Sequence, residues 1–108
     1  MRRGDVYWVN FEPARGGEVK KTRPAVIVSN NAAIRAQNRV QVVPVSSATG
    51  ARIHRWEAPL RIHDAERKAM ADQIRTVAKE RLLNYECAVT VEEMLRIEQA
   101  IRVQLGLP

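Results

Sequence analysis

Hydrophobic and polar residues follow one another in short stretches along most of the chain, a pattern typical of β-strands. In residues 4–11 the side chains of Tyr7, Val9 and Phe11 fall on one face of an extended chain, and the stretch is rich in β-branched and aromatic residues. Residues 24–30, PAVIVSN, begin with an unbroken apolar run, which is typical of a buried strand. We therefore predict strands at both places.

Proline, glycine and short polar segments divide the neighbouring regions into further elements. Pro44 cannot donate a main-chain hydrogen bond, so its strand is predicted to lie at an edge or to carry a bulge. Pro13 and the Gly16-Gly17 pair indicate a loop at 12–22. The remaining predicted elements are a helical turn at 31–38, strands at 40–46, 56–60 and 87–90, a strand or helix at 70–78, a loop at 47–54 and an irregular segment at 61–69.

An amphipathic helix closes the chain. Thr90 and Glu93 have the spacing of a capping box, and Gly106 stands where a helix C-cap glycine belongs. With the strands, this helix predicts a mainly β (α+β) fold: a small, strongly bent antiparallel sheet or barrel with a C-terminal helix packed on it. The apolar stripe of the helix consists of Met94, Ile97, Ile101 and Leu105, widened by Val91 and Leu95.

Length and composition limit the kind of protein. The 108 residues suit one domain, 1–108, with its own hydrophobic core. The single cysteine, Cys87, excludes an intrachain disulfide and a zinc cage of paired cysteines. The chain starts without the apolar segment of a secretory signal, and no apolar run approaches the roughly 20 residues that cross a bilayer. We therefore expect a soluble, cytoplasmic protein.

The positive charge is unevenly distributed. The net charge is +6, and no acidic residue occurs from Val19 to Trp56. A segregated positive face is what the neutralisation of phosphates requires, so this distribution predicts binding to a polyanion such as nucleic acid. The cations of this stretch are Lys20, Lys21, Arg23, Arg35, Arg39, Arg52 and Arg55.

Several catalytic motifs are missing from the sequence. It contains no GxxxxGK[ST] phosphate loop, no HExxH pattern and no EF-hand loop, so we predict neither a metal nor a cofactor. His54 and His63 could act as acid and base on a phosphodiester, or be solvated loop residues. Ser46 lacks the G-x-S-x-G context of an acyl-transfer nucleophile.

The residues that remain are suited to binding phosphate. Arg23 can hold two phosphate oxygens at once, and Pro24 fixes the backbone immediately after it. Glu18 lies in the glycine-containing loop and is either a counter-ion for nearby cations or a general base. Asp72 is either paired with a cation such as Arg75 or catalytic.

Three segments together resemble the MazF/PemK/Kid toxins of bacterial toxin–antitoxin pairs: RRGDVYW (2–8), RPAVIVSN (23–30) and DQIRTVAKERL (72–82). The resemblance runs in order along nearly the whole chain. It implies an SH3-like antiparallel β-barrel with a C-terminal α-helix, and a homodimer. It also implies a sequence-specific, metal-independent endoribonuclease that cleaves single-stranded RNA, chiefly mRNA. The implied partner is an antitoxin with an acidic C-terminal segment, which agrees with the basic face.

The resemblance also assigns catalytic roles. Arg23 matches the arginine that contacts the scissile phosphate, and we expect it to donate a proton as well. Ser46 stands where the family usually has a threonine, and either Glu18 or Asp72 is the general base. The chain departs from the family at Met70, where the Kid-like branch has an arginine. Two further departures are Gly17, a histidine in some members, and Lys21, at a position that is often glycine.

RNA binding is expected from exposed cations and one aromatic side chain. Trp56 beside Arg55 suits base stacking with phosphate contact, although a core or dimer position for Trp56 is the alternative. The predicted RNA-binding residues are Lys20, Lys21, Asn30, Ser47, Arg52, Arg55, Trp56 and Gln73.

Two other functions are compatible with the same barrel. One is a CcdB-like toxin that binds DNA gyrase, although the Glu18, Arg23 and hydroxyl set would then have no role. The other is a nucleic-acid-binding module without catalysis, which the departures at Met70 and Ser46 allow. Cleavage of RNA distinguishes the endoribonuclease from both alternatives.

Overall fold

The computed structural model describes residues 1–47 and 52–108. Seven strands and two α-helices occur in these residues, with short 3-10 turns at Ala71–Gln73 and Lys79–Arg81. None of the described helices is long and apolar enough to cross a membrane. The elements are β1 (Asp5–Asn10), β2 (Thr22–Ile27), α1 (Asn31–Ala36), β3 (Arg39–Pro44), β4 (Glu57–Ile62), β5 (Ala65–Met70), β6 (Arg75–Ala78), β7 (Leu82–Ala88) and α2 (Val91–Leu105).

The strands form two antiparallel sheets. The larger has the order β6-β3-β2-β1-β7, and the smaller is the β4–β5 hairpin. An isolated bridge between Val45 and Ala69 connects the hairpin to the chain that follows β3. The predicted class, mainly β with a C-terminal helix, is confirmed. The larger sheet is not closed into a barrel, because β6 and β7 remain at its edges.

Two apolar clusters form the core. One lies between the hairpin and α2, where Ile97 is fully buried against strand residues such as Val6. The other surrounds Phe11 and includes Ile34 of α1. The helix therefore packs on the sheet as predicted, but its apolar stripe is narrower than expected. Val91, Leu95 and Leu105 are exposed.

Capping interactions define the limits of α2. The Thr90 hydroxyl accepts a hydrogen bond from the Glu93 N–H at 3.1 Å, and Glu93 Oε1 accepts from the Thr90 N–H at 2.8 Å. The second carboxylate oxygen of Glu93 accepts from the main-chain N–H of Arg61 at 2.7 Å, which joins the helix to β4. Gly106 ends the helix with a φ of 68°. The predicted capping box and C-cap are confirmed.

The segment 61–69 was predicted to be irregular, and this is wrong. β4 continues to Ile62, and β5 begins at Ala65 after a two-residue turn. His63 and Asp64 form this turn with φ values of 48° and 66°. Such turns usually contain glycine or asparagine, and their absence removed the hairpin signal from the sequence. Two further segments are now defined: 70–78 is a 3-10 turn followed by β6, and the last strand spans Leu82–Ala88.

Pro44 was predicted at an edge or bulge, yet β3 lies between β2 and β6. The register explains how the sheet accommodates it. The Val45 N–H donates to the Pro24 carbonyl at 2.8 Å, so the nitrogen of Pro44 faces away from β2. On that side the pairing with β6 has already ended, at Val42 and Arg75. Pro44 therefore removes no hydrogen bond from the pairing of β3 with β2 or with β6.

Candidate active site

Arg23 and Ser46 lie opposite each other on neighbouring segments. Arg23 is partly buried in β2 and pairs with Val9 of β1 on its other side. The β2–β3 register pairs Ala25 with Pro44, and the Val45 N–H donates to the Pro24 carbonyl at 2.8 Å. This register, continued by one more residue, puts the main chain of Ser46 across from Arg23. The main chain of the predicted phosphate-binding arginine thus lies across from that of the predicted catalytic serine.

The loop at 12–22 contains Glu18 in a closed turn. The Glu18 N–H donates to the Arg15 carbonyl at 3.1 Å, and the Arg15 N–H donates to Glu18 Oε1 at 2.6 Å. Gly16, with a φ of 59°, supplies the left-handed conformation that this turn needs. The turn presents the exposed Glu18 carboxylate at the surface with one oxygen already hydrogen-bonded.

Gln73 fastens this loop to the Ala71–Gln73 turn. Its Nε2 donates to the Gly17 carbonyl at 3.2 Å, and its Oε1 accepts from the Val19 N–H at 3.2 Å. Both contacts are to main-chain atoms that flank Glu18. The sequence predicted an RNA-binding role for Gln73 and gave no sign that its side chain holds this loop.

Asp72 directly precedes Gln73. The two candidate bases, Glu18 and Asp72, therefore lie on segments that are joined by the hydrogen bonds of Gln73. The turn itself is fixed by the Ala71 N–H, which donates to the Trp56 carbonyl at 3.0 Å. Asp72 is exposed there. It does not pair with Arg75, whose guanidinium carbon lies 5.4 Å from the ring centroid of Phe11.

Lys20 and Lys21 lie at the entrance to β2, and both are exposed. Lys21 has a φ of 63°, in the left-handed region that favours glycine. Its N–H donates to Glu12 Oε1 at 2.6 Å, and its carbonyl accepts from the Phe11 N–H at 2.9 Å. The conformation gives a physical reason for glycine at this position in a related sequence.

A second predicted RNA-binding group lies before β4. Trp56 is 38% exposed and stacks on His54, with ring centroids 4.9 Å apart and planes 4° apart. A purely internal position for Trp56 is thus excluded. Arg52 and Arg55 are exposed. Ser47, which precedes residues 48–51 in the sequence, is exposed as well. The predicted loop at 47–54 lies partly outside the described residues.

The two histidines have separate partners, so the structure does not support a two-histidine site. His54 stacks on Trp56, whereas Nε2 of His63, at the tip of the hairpin, lies 2.8 Å from Glu86 Oε1. Among residues 1–47 and 52–108, no group of three His, Cys, Asp or Glu side chains is arranged to hold a metal ion.

Asn30 lies apart from the other predicted residues. It follows the end of β2, whereas Arg23 lies near the start of that strand. Its Oδ1 accepts a hydrogen bond from the Ala33 N–H at 2.8 Å and caps α1. Within one chain, the structure therefore does not bring Asn30 together with Arg23.

Glu57 and Lys68 form an ion pair next to predicted site residues, and the sequence did not reveal this pair. Lys68 Nζ lies 3.1 Å from Glu57 Oε1, and both side chains are largely buried. The same Nζ donates to the Arg52 carbonyl at 3.0 Å, and the Lys68 carbonyl accepts from the Ser46 N–H at 2.9 Å. Eleven residues separate the pair, and Lys68 fell in a segment predicted to be irregular. No local pattern therefore pointed to it.

Comparison with known proteins gives consistent matches along the chain. A family described as PemK-like, MazF-like toxin of type II toxin–antitoxin system matches residues 2–105. The chain is similar to Endoribonuclease MazF9 of Mycobacterium tuberculosis, with 36% identity over 99% of this chain and 98% of the relative. It is also similar to Endoribonuclease MazF of Staphylococcus saprophyticus, with 30% identity over 99% and 92% of the two chains.

The fold matches solved structures as well. One is a mycobacterial endoribonuclease in complex with its cognate antitoxin, with a TM-score of 0.84 and 29% identity over 100% of this chain and 97% of that one. Another is MazF of Deinococcus radiodurans, with a TM-score of 0.84 at 23% identity over 99% and 97% of the two chains. The second likeness concerns the fold alone.

Proposed function

The chain belongs to the PemK-like, MazF-like toxins of type II toxin–antitoxin systems, and we propose on this premise that it is an endoribonuclease that cuts single-stranded RNA without a metal. The relatives named as MazF endoribonucleases match nearly all of the chain and support the activity. The whole of residues 1–108 acts as one toxin domain in this proposal. The target is mRNA, and cleavage at particular sequences inhibits growth.

One observation carries the proposed chemistry: the β2–β3 register, continued past Ala25 and Pro44, puts the main chain of Ser46 across from Arg23. RNA supplies its own nucleophile, the 2′-hydroxyl, so the protein has to orient the attack and stabilise charge on phosphorus. Arg23 binds the scissile phosphate through two oxygens, and the Ser46 hydroxyl supports it by hydrogen bonding.

The reaction forms one bond and breaks another. The base, Glu18 or Asp72, takes the proton of the 2′-hydroxyl as the 2′-oxygen bonds to phosphorus. The bond from phosphorus to the 5′-oxygen then breaks, and the leaving oxygen receives a proton from Arg23. Arg23 regains that proton from solvent, because a neutral guanidine is too basic to persist. The products are a 2′,3′-cyclic phosphate and a 5′-hydroxyl. DNA lacks the 2′-hydroxyl, so it binds without being cut.

Two exposed groups of residues bind the rest of the RNA. Lys20 and Lys21 hold phosphates next to Arg23. On the other side of the site, bases stack on Trp56 while nearby hydroxyl, guanidinium and carboxamide groups bind the backbone and base edges. These other RNA-binding residues are Ser47, Arg52, Arg55, Gln73 and, from its separate position, Asn30.

The partners follow from the same family and charge. The toxin is a cytoplasmic homodimer, and its antitoxin places an acidic C-terminal segment on the basic surface that otherwise binds RNA. The solved complex of a related endoribonuclease with its cognate antitoxin supports such a partner. A charge of +6 supports its acidic character.

The test is cleavage of a mixed-sequence single-stranded RNA pool by purified protein, with and without EDTA, followed by mapping of both new ends. We expect cuts at a restricted set of sequences, cyclic phosphate and 5′-hydroxyl ends, and the same rate with chelator. Intact RNA, or cleavage that stops with chelator, would contradict the proposal.

A further inference from the structure

The Glu57–Lys68 pair differs from the other ion pair on the same hairpin. Its side chains are only 7% and 15% exposed, whereas those of Arg61 and Glu66 are 59% and 71% exposed. Charges removed from water interact more strongly and are screened less by salt. The Glu57–Lys68 pair therefore constrains its surroundings, while the exposed pair does so weakly.

The pair connects two segments that carry predicted site residues. Lys68 binds Ser46 through its main-chain carbonyl and Arg52 through its Nζ, at 2.9 and 3.0 Å. Glu57 Oε1 also accepts from the His54 N–H at 2.9 Å. The side chains of the ion pair thus hold the main chain at Arg52 and His54, and the main chain of Lys68 holds Ser46.

We propose that Glu57 and Lys68 are positioning residues that determine which RNA sequences the protein cuts. This inference rests on the proposed endoribonuclease function. Arg23 projects from β2 and binds a phosphate regardless of the base attached to it. The residues from Arg52 to Trp56 contact the neighbouring nucleotides. The Glu57–Lys68 pair sets the distance of these residues from Arg23 and Ser46.

Loosening the Glu57–Lys68 pair therefore affects discrimination between RNA sequences more than it affects the chemical step. When the Arg52–Trp56 segment can shift, nucleotides that fit poorly are accommodated, and the best sequence loses its advantage. The ratio of kcat/KM for the best RNA to kcat/KM for single-base variants falls. Most of the change for the best RNA appears in KM, since neither Glu57 nor Lys68 contacts the reacting atoms.

The experiment measures that ratio for the wild type and four variants, at a temperature where circular dichroism shows each to be folded. The RNAs are the best substrate from the cleavage pool and a set with one base changed beside the cut. Lys68→Met removes the ammonium, and Lys68→Arg restores a cation. Glu57→Gln with Lys68→Met leaves no unpaired buried charge, so it remains informative if the single variant does not fold. Glu66→Gln is the matched control, an exposed carboxylate on the same hairpin.

We expect the discrimination ratio to fall at least tenfold in Lys68→Met and in the double variant, to recover largely in Lys68→Arg, and to stay unchanged in Glu66→Gln. A ratio within twofold of the wild type in the double variant would overturn the inference, as would an equal fall in Glu66→Gln. Cleavage by the wild type separates this outcome from failure of the proposed function. If the wild type cuts none of the RNAs, the endoribonuclease proposal is wrong and the inference falls with it.

Discussion

Gln73 holds the main chain on both sides of Glu18, donating to the Gly17 carbonyl and accepting from the Val19 N–H, both at 3.2 Å. The surface loop at 12–22 is thereby fixed to the short turn that carries Asp72. The position of the Glu18 carboxylate thus depends on a side chain more than fifty residues away in the sequence.

Replacing Gln73 should release this loop. Gln73→Met keeps the length of the side chain and removes both hydrogen bonds, each worth about 1 kcal/mol. We expect the Val19 amide to exchange with solvent roughly tenfold faster and cleavage to slow by a similar factor. Hydrogen exchange and single-turnover cleavage measure the two effects. Gln99→Met, on the exposed face of α2, is the control, and equal effects in both variants would contradict this role.

Arg23 should be essential for cleavage and dispensable for folding. Loss of a charge-stabilising donor typically lowers kcat by about 10²–10³-fold, and we expect at least this loss in Arg23→Ala. Arg96→Ala removes the same charge from an exposed position on α2 and should cut RNA at the wild-type rate. Cleavage assays on both folded variants provide the measurement. A rate for Arg23→Ala close to that of Arg96→Ala would remove Arg23 from the site.

The two carboxylates can be separated by their pH profiles. A general base contributes about 10²–10⁴-fold, and its ionisation produces the acidic limb of the profile of kcat against pH. We expect one of Glu18→Gln and Asp72→Asn to lose both the rate and the acidic limb. The other should keep the limb, with a smaller change in rate. Retention of the limb in both variants would show that neither carboxylate is the base.

Lys21 and Lys20 offer a matched test of backbone conformation. Lys21 has a φ of 63°, where glycine is at least as stable as lysine, whereas Lys20 is not in the left-handed region. Both lysines are exposed, and each glycine variant loses one positive charge. Urea unfolding should show Lys21→Gly to be about 1 kcal/mol more stable than Lys20→Gly. Equal stabilities would mean that the left-handed conformation at Lys21 carries no strain.

Local patterns in the sequence predicted much of the fold. Alternation defined β1, the apolar run defined β2, and the Thr90–Glu93 spacing defined the start of α2. The β4–β5 hairpin was missed because His63 and Asp64 form its turn without glycine. The exposure of Val91, Leu95 and Leu105 on the helix could not be predicted from the sequence. The periodicity of apolar residues does not show how much of the helix surface the sheet covers.

The candidate site was predictable only in part, for a related reason. Arg23 stood out because an arginine beside a proline opens an apolar strand, and the register of β2 with β3, continued past Pro44, puts the main chain of Ser46 across from it. The contacts of Gln73 with the loop and of Lys68 with Glu57 join residues far apart in the sequence. Such contacts follow from the path of the whole chain, and no single segment encodes them.

The central claim is that the RNA's own 2′-hydroxyl attacks the phosphate held by Arg23. The most direct measurement uses the best RNA substrate with a single 2′-deoxynucleotide on the 5′ side of the cut. The control carries the same substitution one nucleotide further along. We expect no cleavage at the substituted site and normal cleavage of the control RNA. Cleavage at the 2′-deoxynucleotide would contradict the account, because it would require another nucleophile.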